Sequence, residues 1–311
     1  MEKIPVGISS CLLGQNVRYD GGHRLHSYIV NTLGKFFEFK PFCPEVAIGM
    51  GIPRPAIQLV KVNDEIRCLG VKNTEFDVTK PLRNYADQLA TEHANLCGHI
   101  LKKDSPSCGM ERVKVYLNNQ PHKTGIGIYA EAMMRNNPLL PVEEEGRLGD
   151  PALRENFIQR VYALHRWKLL SEEGLTPGRL TRFHARYKLI IMSHDNYVDL
   201  GRLLATVNKT NVEEICKTYI FQLMTALKKP ASRKSHVNVL QHIQGYLKKE
   251  LKADDKAEIC ELIERYRLGE IPLIVPVTLL KHFFRKNPDP YIEDSYYMSP
   301  YPAELSLINE I

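Results

Sequence analysis

The amino-acid sequence predicts an α/β half, residues 1–150, followed by an all-α half, residues 151–311. Up to Gly125-Ile126-Gly127, β-branched runs alternate with helical stretches, the pattern of a largely parallel sheet covered by helices. Beyond that, apolar residues recur at helical spacing only. Proline, glycine and the acidic run Glu143–Glu145 collect between Pro138 and Pro177, which places the boundary there.

Taken in order, Ile4–Ser9 is a short strand ending in a Ser-Ser-Cys turn, and His26–Phe37 has helical spacing. Phe39–Phe42 is extended up to Cys43-Pro44. A small polar section, Val60–Val71, precedes a helix over Pro81–Leu96. Gly98–Leu101 reads as a strand closed by Asp104-Ser105-Pro106-Ser107-Cys108-Gly109, and Val113–Leu117 as a last strand. In the second half, Phe157, Ile158, Val161 and Leu164 repeat at helical spacing. So do Val212, Ile215, Tyr219 and Leu223, and then Ile259, Leu262, Ile263 and Tyr266. Turn signals at Thr176-Pro177-Gly178 and Lys229-Pro230 separate these helices. The stretch from Asn287, rich in proline and tyrosine, reads as an irregular tail.

Composition narrows the class. Hydrophobic residues are 43% and charged residues 25% of 311, the profile of a globular protein. The best apolar stretch, Pro272–Leu280, falls well short of the ~20 residues of a membrane helix and is broken by Pro276. The N-terminus lacks the apolar core of a signal peptide, so a cytoplasmic setting is expected. There, an odd seven cysteines point to metal binding or catalysis more than to disulfides.

Cys11, Cys43 and Cys108 each follow a predicted strand, in a segment broken by Ser, Pro or Gly. In open α/β sheets the carboxyl ends of strands form the ligand crevice, where three thiols could converge. Cys68, Cys97 (late in a predicted helix), Cys216 and Cys260 read as core or surface residues. Spacing alone also allows all seven to be structural. Three ligands leave a position open, on zinc or on one iron of a cubane. Glu45 in Cys-Pro-Glu, with Asp104, Ser105 and Ser107 around Cys108, suits proton transfer. The competing readings are a helix-capping acid for Glu45 and turn-forming serines around Pro106.

Net charge is +1 over residues 1–150 and +5 over residues 151–311. Arg179, Arg182 and Arg186, with Lys188 nearby, fall on one helical face in a stretch without acids. Leu180, Phe183, Tyr187 and Ile191 form the apolar stripe that anchors this helix. Residues 228–252 hold seven Lys and Arg, Arg233 and Lys234 among them, against Glu250 alone. Such faces suit RNA phosphates, with tyrosine and histidine available to stack on bases. Solvated helix surface is the alternative.

Three strings carry a resemblance. Ile-Ser-Ser-Cys-Leu-Leu-Gly (8–14) with Val-Arg-Tyr-Asp-Gly (17–21), Phe-Cys-Pro-Glu-Val (42–46) and Lys-Lys-Asp-Ser-Pro-Ser-Cys-Gly (102–109) resemble the thiouracil desulfidase family, over roughly residues 1–150. Phe-His-Ala-Arg-Tyr-Lys-Leu (183–189) and Ser-His (193–194) resemble the YbgA-type domain fused to such desulfidases in the RudS-type tRNA 4-thiouridine desulfidases. The resemblance implies a 4Fe–4S cluster on Cys11, Cys43 and Cys108 with one open iron for the thiocarbonyl sulfur. It further implies that Glu45 activates water to attack C4, that hydrosulfide leaves without net electron transfer, and that Ser105 or Ser107 assists; Asp104, beside Cys108, is next in line for proton transfer should Glu45 not serve. Arg18, Tyr19 and Asp20 would hold the pyrimidine by stacking and edge hydrogen bonds, or else stabilise their own loop. The substrate so implied is a thiolated pyrimidine in tRNA, which must leave its stack to react. Two other readings are desulfidation of free thiouracil or thionucleosides, and a non-catalytic iron–sulfur RNA-binding or sensor protein.

Overall fold

In the computed structural model, residues 2–194, 197–302 and 304–305 are described, and they form two compact units, residues 1–157 and 158–311. The division falls inside one long helix, α5 (Pro151–Glu172).

Unit 1 holds two four-stranded sheets. The first is all parallel, with β1 (Ile4–Ser9) between β2 (Phe37–Phe42) and β5 (Gly98–Leu101), and β8 (Val142–Glu144) at the edge beyond β5. Four consecutive buried residues in β5 match a strand covered on both faces. The second sheet runs β4 (Glu65–Gly70), β3 (Ile57–Val62), β6 (Val113–Leu117), β7 (Gln120–Gly125). The 60–71 section is thus largely an antiparallel hairpin, turning at Asn63 with φ 53°. A second hairpin turns at Asn118 and Asn119, φ 49° and 63°, the left-handed pair that a tight hairpin requires and asparagine tolerates. Leu59, Cys68, Val113 and Val115 of this sheet share one buried core with Val78, Leu82 and Ile128.

Several expectations need correcting. The helix expected over 26–37 is only α1 (Ser27–Asn31) plus a 3-10 turn at Leu33–Lys35, because β2 takes up Phe37. The helix expected over 81–96 is α3 (Thr79–Glu92), so Cys97 lies between α3 and β5, buried. The acids 143–145, which collect in the expected boundary region, lie within the fold of unit 1. Glu143 and Glu144 belong to β8 and Glu145 follows it, all three buried. Each has a partner that makes burial tolerable: Arg147 Nε at 2.5 Å for Glu143, the Met110 amide at 2.7 Å for Glu144, and Lys102 with the Lys103 amide for Glu145.

Unit 2 is helical, from the later turns of α5 through α6 (Pro177–Met192), α7 (Tyr197–Ala205), α8 (Val212–Leu227), α9 (Arg233–Tyr246), α10 (Ala253–Leu268) and α11 (Ile274–Lys286) to α12 (Pro290–Glu293). Thr176 caps α6 by accepting from the Arg179 amide at 3.2 Å, and Ser232 caps α9 through the Ser235 amide at 3.1 Å. Leu180, Phe183, Tyr187 and Ile191 are buried as their stripe predicts, and the Trp167 ring packs on Phe183 and Tyr219. The tail beyond 287 is not loose over its described part: Ile292, Tyr297, Met298, Tyr301 and Leu305 are buried. Among the described residues no helix is long and apolar enough to cross a membrane.

Candidate functional site

The parallel pairing of β1 with β2 sets Ser9 opposite Phe42, so both strands end at the same level. Cys11 follows β1 in a 3-10 turn (Ser10–Leu13), and Cys43 follows β2 as the cap residue of α2 (Pro44–Ala47). Cys108 comes from the loop after β5, the other neighbour of β1. The three thiols therefore line one cavity of about 440 Å³ at the carboxyl ends of the parallel strands, within the size range of small-molecule sites. Arg18, Tyr19, Glu45, Asp104 and Ser105 share its wall, as do Arg24, Arg54, Lys102 and Lys103.

Burial pushes the Cys11 thiol up to about 11 and raises Cys43 and Cys108 as well. These are thiols that a bound cation must convert to thiolates. All seven cysteines are free, with Cys68 and Cys216 buried and Cys260 exposed, away from this wall.

Glu45 sits in the first turn of α2, and both of its oxygens are engaged. Oε2 accepts from Arg54 Nε at 2.8 Å, and Oε1 accepts from Ser107 Oγ at 2.5 Å. Ser107 Oγ also lies 3.0 Å from Ser105 Oγ and 3.6 Å from Cys108 Sγ. A hydroxyl has one proton, and the charge-assisted bond to the carboxylate takes it. Ser105 must then donate to Ser107, and its own oxygen is left to accept from the amides of Ser107 at 3.3 Å and Cys108 at 3.1 Å. The result is a directed chain, Ser105 to Ser107 to Glu45. Ser105 stands on the cavity wall, whereas Ser107 is fully buried.

Arg54 is the residue of this wall, in contact with Glu45, that sequence reading missed. It is 8% exposed, and besides Glu45 it contacts the Gly51 carbonyl at 3.2 Å and Cys43 Sγ at 3.9 Å. Its only sequence signal is position, in the turn-rich run Gly-Met-Gly-Ile-Pro-Arg-Pro (49–55) soon after Cys-Pro-Glu.

The expected pyrimidine holders divide. Arg18 lies on the wall with its guanidinium 5.4 Å from the Tyr19 ring centre, and Tyr19 is 46% exposed there. Asp20 is not on that wall. It accepts from the Gly22 amide at 3.0 Å, which holds its carboxyl below the usual range and marks it as a turn-former.

In unit 2, Arg179, Arg182 and Arg186 line a second cavity, of about 380 Å³. Arg179 is spent on the carbonyls of Glu173 and Gly174, and Arg186 on Asp294 and Tyr296. Lys188 lies over Tyr291 and Arg233 over Tyr266, at 5.9 and 5.5 Å, while Lys234 is exposed.

Comparisons with known proteins match each half separately. Residues 6–145 match the 2-thiouracil desulfurase family, and residues 187–302 match a family described as a protein of unknown function, DUF1722. The uncharacterized protein YbgA of Escherichia coli (strain K12) is 33% identical over 156 residues, 49% of this chain and 92% of its own. A solved structure titled as the [4Fe-4S]-dependent thiouracil desulfidase TudS is 31% identical, covering 50% of this chain and 98% of its own, with a TM-score of 0.38. The chain belongs to the family that joins an N-terminal 2-thiouracil desulfurase domain to a C-terminal YbgA-like domain.

Proposed function

We propose that this chain, working in the cytoplasm, removes sulfur from 4-thiouridine in tRNA, giving uridine and hydrosulfide, at the cavity of Cys11, Cys43 and Cys108. The observation that carries this reading is the sharing of one wall by three thiols and a carboxylate with a hydroxyl chain behind it, within the residues that match the desulfurase family.

The donor set fits an iron–sulfur cluster held by Cys11, Cys43 and Cys108. Three soft thiols on one wall suit it, and a cluster takes each thiolate on its own iron. When bound, such a cluster with one open iron supplies a soft Lewis acid for the thiocarbonyl sulfur.

The chain's own residues do the rest. Glu45 takes a proton from the water that attacks C4 of the thiopyrimidine. The C–O bond forms as the C–S bond breaks, and sulfur departs as hydrosulfide. Arg54 keeps the carboxylate aimed, and the Ser105–Ser107 chain hydrogen-bonds its other oxygen from behind. Tyr19 and Arg18 offer a stacking face and a donor to the base. Asp104, exposed on the same wall, is the second candidate for proton transfer.

A second reading, desulfidation of free thiouracil or a thionucleoside, is favoured by the confinement of the whole cavity to unit 1. Anaerobic incubation with thiolated bulk tRNA and, separately, with free 4-thiouridine and thiouracil, followed by nucleoside analysis, decides between them. Loss of 4-thiouridine from tRNA supports the first, and turnover of the free compounds alone sinks it. Purified without oxygen, the protein is expected to be brown, with about four irons per chain. Cys11→Ala, Cys43→Ala and Cys108→Ala each lose iron and activity, while Cys260→Ala keeps both. Full iron loading in any of the first three variants overturns the ligand assignment.

A further inference from the structure

Lys102 and Lys103 open the segment Lys-Lys-Asp-Ser-Pro-Ser-Cys-Gly and line the cavity of the three thiols, yet the attack of water at C4 uses neither. The pairing of β1 with β5 sets Ile8 opposite Ile100, so the chain that leaves β1 for Cys11 runs beside the chain that leaves β5 at Lys102. The Lys102 amide fixes that level by donating to Ser9 Oγ at 3.0 Å. Lys102 and Cys11 thus stand at neighbouring strand ends of one wall. Lys103 is shared with a neighbouring cavity, and its chain lies over Gly146, where a Cβ would stand 2.7 Å from Lys103 Cδ.

The Lys102 ammonium is tied to groups that are not part of the thiol wall or only border it. One N–H goes to Glu145 Oε1 and another to the Lys103 carbonyl at 3.3 Å. Glu145 is fixed in turn, its amide donating to the Leu101 carbonyl at 3.2 Å and its Oε2 accepting from the Lys103 amide at 2.8 Å. Both side chains are largely buried. Removing two charges from water costs about as much as their pairing returns, so stability explains such a pair poorly. What the pair does provide is a positive charge at a set point of the wall. An ammonium has three donors, and the third has no acceptor among the described residues.

Two of the thiols have a polar neighbour already. Arg54 Nη2 stands 3.9 Å from Cys43 Sγ, and Ser107 Oγ stands 3.6 Å from Cys108 Sγ. Cys11 Sγ has none among the described residues. Of the two cations that act on it, Arg18 is drawn towards Asp20 at 3.5 Å, whereas Lys102 opposes the burial of the Cys11 thiol more strongly.

We propose that Lys102 is the charge partner of the Cys11 thiolate in the iron-loaded protein, its third N–H donating to that sulfur, and that Glu145 is the residue that positions it. The proposal rests on the iron–sulfur reading above. A hydrogen bond to a ligating sulfur is one of the means by which a protein sets the potential of a cluster, and groups behind the ligands tune the metal as the ligands do. A cation at Cys11 draws electron density from the thiolate, so the irons become more electron-poor and a soft sulfur is bound more strongly at the open one.

The test uses the full chain purified without oxygen. Iron content is measured first, and then the midpoint potential of the cluster, by dithionite titration followed through its visible absorbance. Lys102→Met removes charge and donor at similar length and is expected to keep parental iron, because the three thiolates remain. Its potential moves to a more negative value, and kcat falls about tenfold, the scale of one charge-assisted contact, with KM little changed. Lys102→Gln, polar but uncharged, shifts the potential in the same direction, and Lys102→Arg restores most of it. Lys35→Met removes the same net charge at the amino end of β2, opposite the Cys43 end, and is the control.

Parental potential in an iron-loaded Lys102→Met or Lys102→Gln overturns the inference, as does an equal shift in Lys35→Met. Loss of iron from both uncharged variants, with Lys102→Arg loaded and circular dichroism parental, still assigns the charge to the cluster. Loss from Lys102→Arg as well overturns it, since shape alone would then matter at this position. A parent that binds no iron overturns the iron–sulfur reading itself, an outcome distinct from a loaded parent with unchanged variants.

Discussion

Glu45 was legible in the sequence as an acid two residues after a cysteine, but the partners that hold its carboxylate were not. Its two oxygens are held by Arg54 and Ser107, at 2.8 and 2.5 Å, and the Ser107 contact joins residues 62 apart in the chain. Glu45→Gln keeps the Arg54 contact through its carbonyl and turns an amide donor towards Ser107, so the packing survives. It should retain parental colour and iron while turnover falls by roughly two orders of magnitude or more, the usual scale of acid–base help. Parental turnover in that variant would transfer the role to Asp104. Arg54 makes a subtler case, because it acts through Glu45. Arg54→Met is expected to lower kcat about tenfold with KM little changed and iron retained. Arg54→Lys should restore part of the loss as a point charge without the fork. An Arg54→Met enzyme with parental kcat would show that the arginine only ties down the 49–55 turn through Gly51.

At the scale of elements, what could be read locally came through and what depends on pairing did not. Ile4–Ser9, Gly98–Leu101 and Val113–Leu117 are strands because β-branched and apolar residues cluster there, and the amphipathic helices of the second half follow their 3.6-residue period. The second sheet escaped notice because its outer strand Gln120–Gly125 is polar and exposed over five of its six residues, so burial pattern gave no signal. Asn118-Asn119 was the clue that a hairpin reading should have taken. The loop bearing Ser105, Ser107 and Cys108 is fixed by α4 (Ile128–Asn136), whose first amides, at Ile128 and Ala130, donate to the carbonyls of Pro106 and Ser107 at 3.1 Å each. Gly127 permits this approach, since a Cβ there would stand 2.5 Å from the Ser107 carbonyl and 2.8 Å from the Cys108 nitrogen. Backbone cannot yield as a flexible side chain can. Gly127→Ala should therefore leave circular dichroism near the parent but displace the loop, lowering iron content to well under half and activity with it. Gly149→Ala, where nothing lies within 4 Å, is the control. Equal iron in the two variants would mean that the loop does not need this contact.

For the molecule as a whole, the two halves were legible from the change in hydrophobic period, whereas the exact division was not, since α5 runs through it without a break. The acids 143–145 marked the boundary region in the sequence, and only the fold reveals that they are buried and which partners allow it. Histidines in the helical unit carry a similar hidden consequence. His184 is buried against the Tyr219 hydroxyl at 3.1 Å with Lys188 nearby, and burial holds its pKa down to about 4. His236 faces the Tyr297 hydroxyl at 2.9 Å, and burial, with His194 adding to it, takes it to about 4 as well. An unfolded chain binds these protons near pH 6.5. Above that pH both states are neutral at these sites and stability is unaffected. Between about 6.5 and 4 the unfolded state takes up protons that the folded state refuses, so stability falls by as much as about 1.4 kcal/mol per pH unit for each histidine. Urea midpoints of the full chain, followed by tryptophan fluorescence from Trp167 in unit 2, should therefore hold level above about pH 6.5 and drop steadily from there to pH 4.5. His184→Gln/His236→Gln keeps hydrogen-bonding groups in place of the rings without a titrating site, and should flatten that slope. A double variant whose midpoint falls with pH as steeply as the parent's would assign the acid sensitivity to other groups.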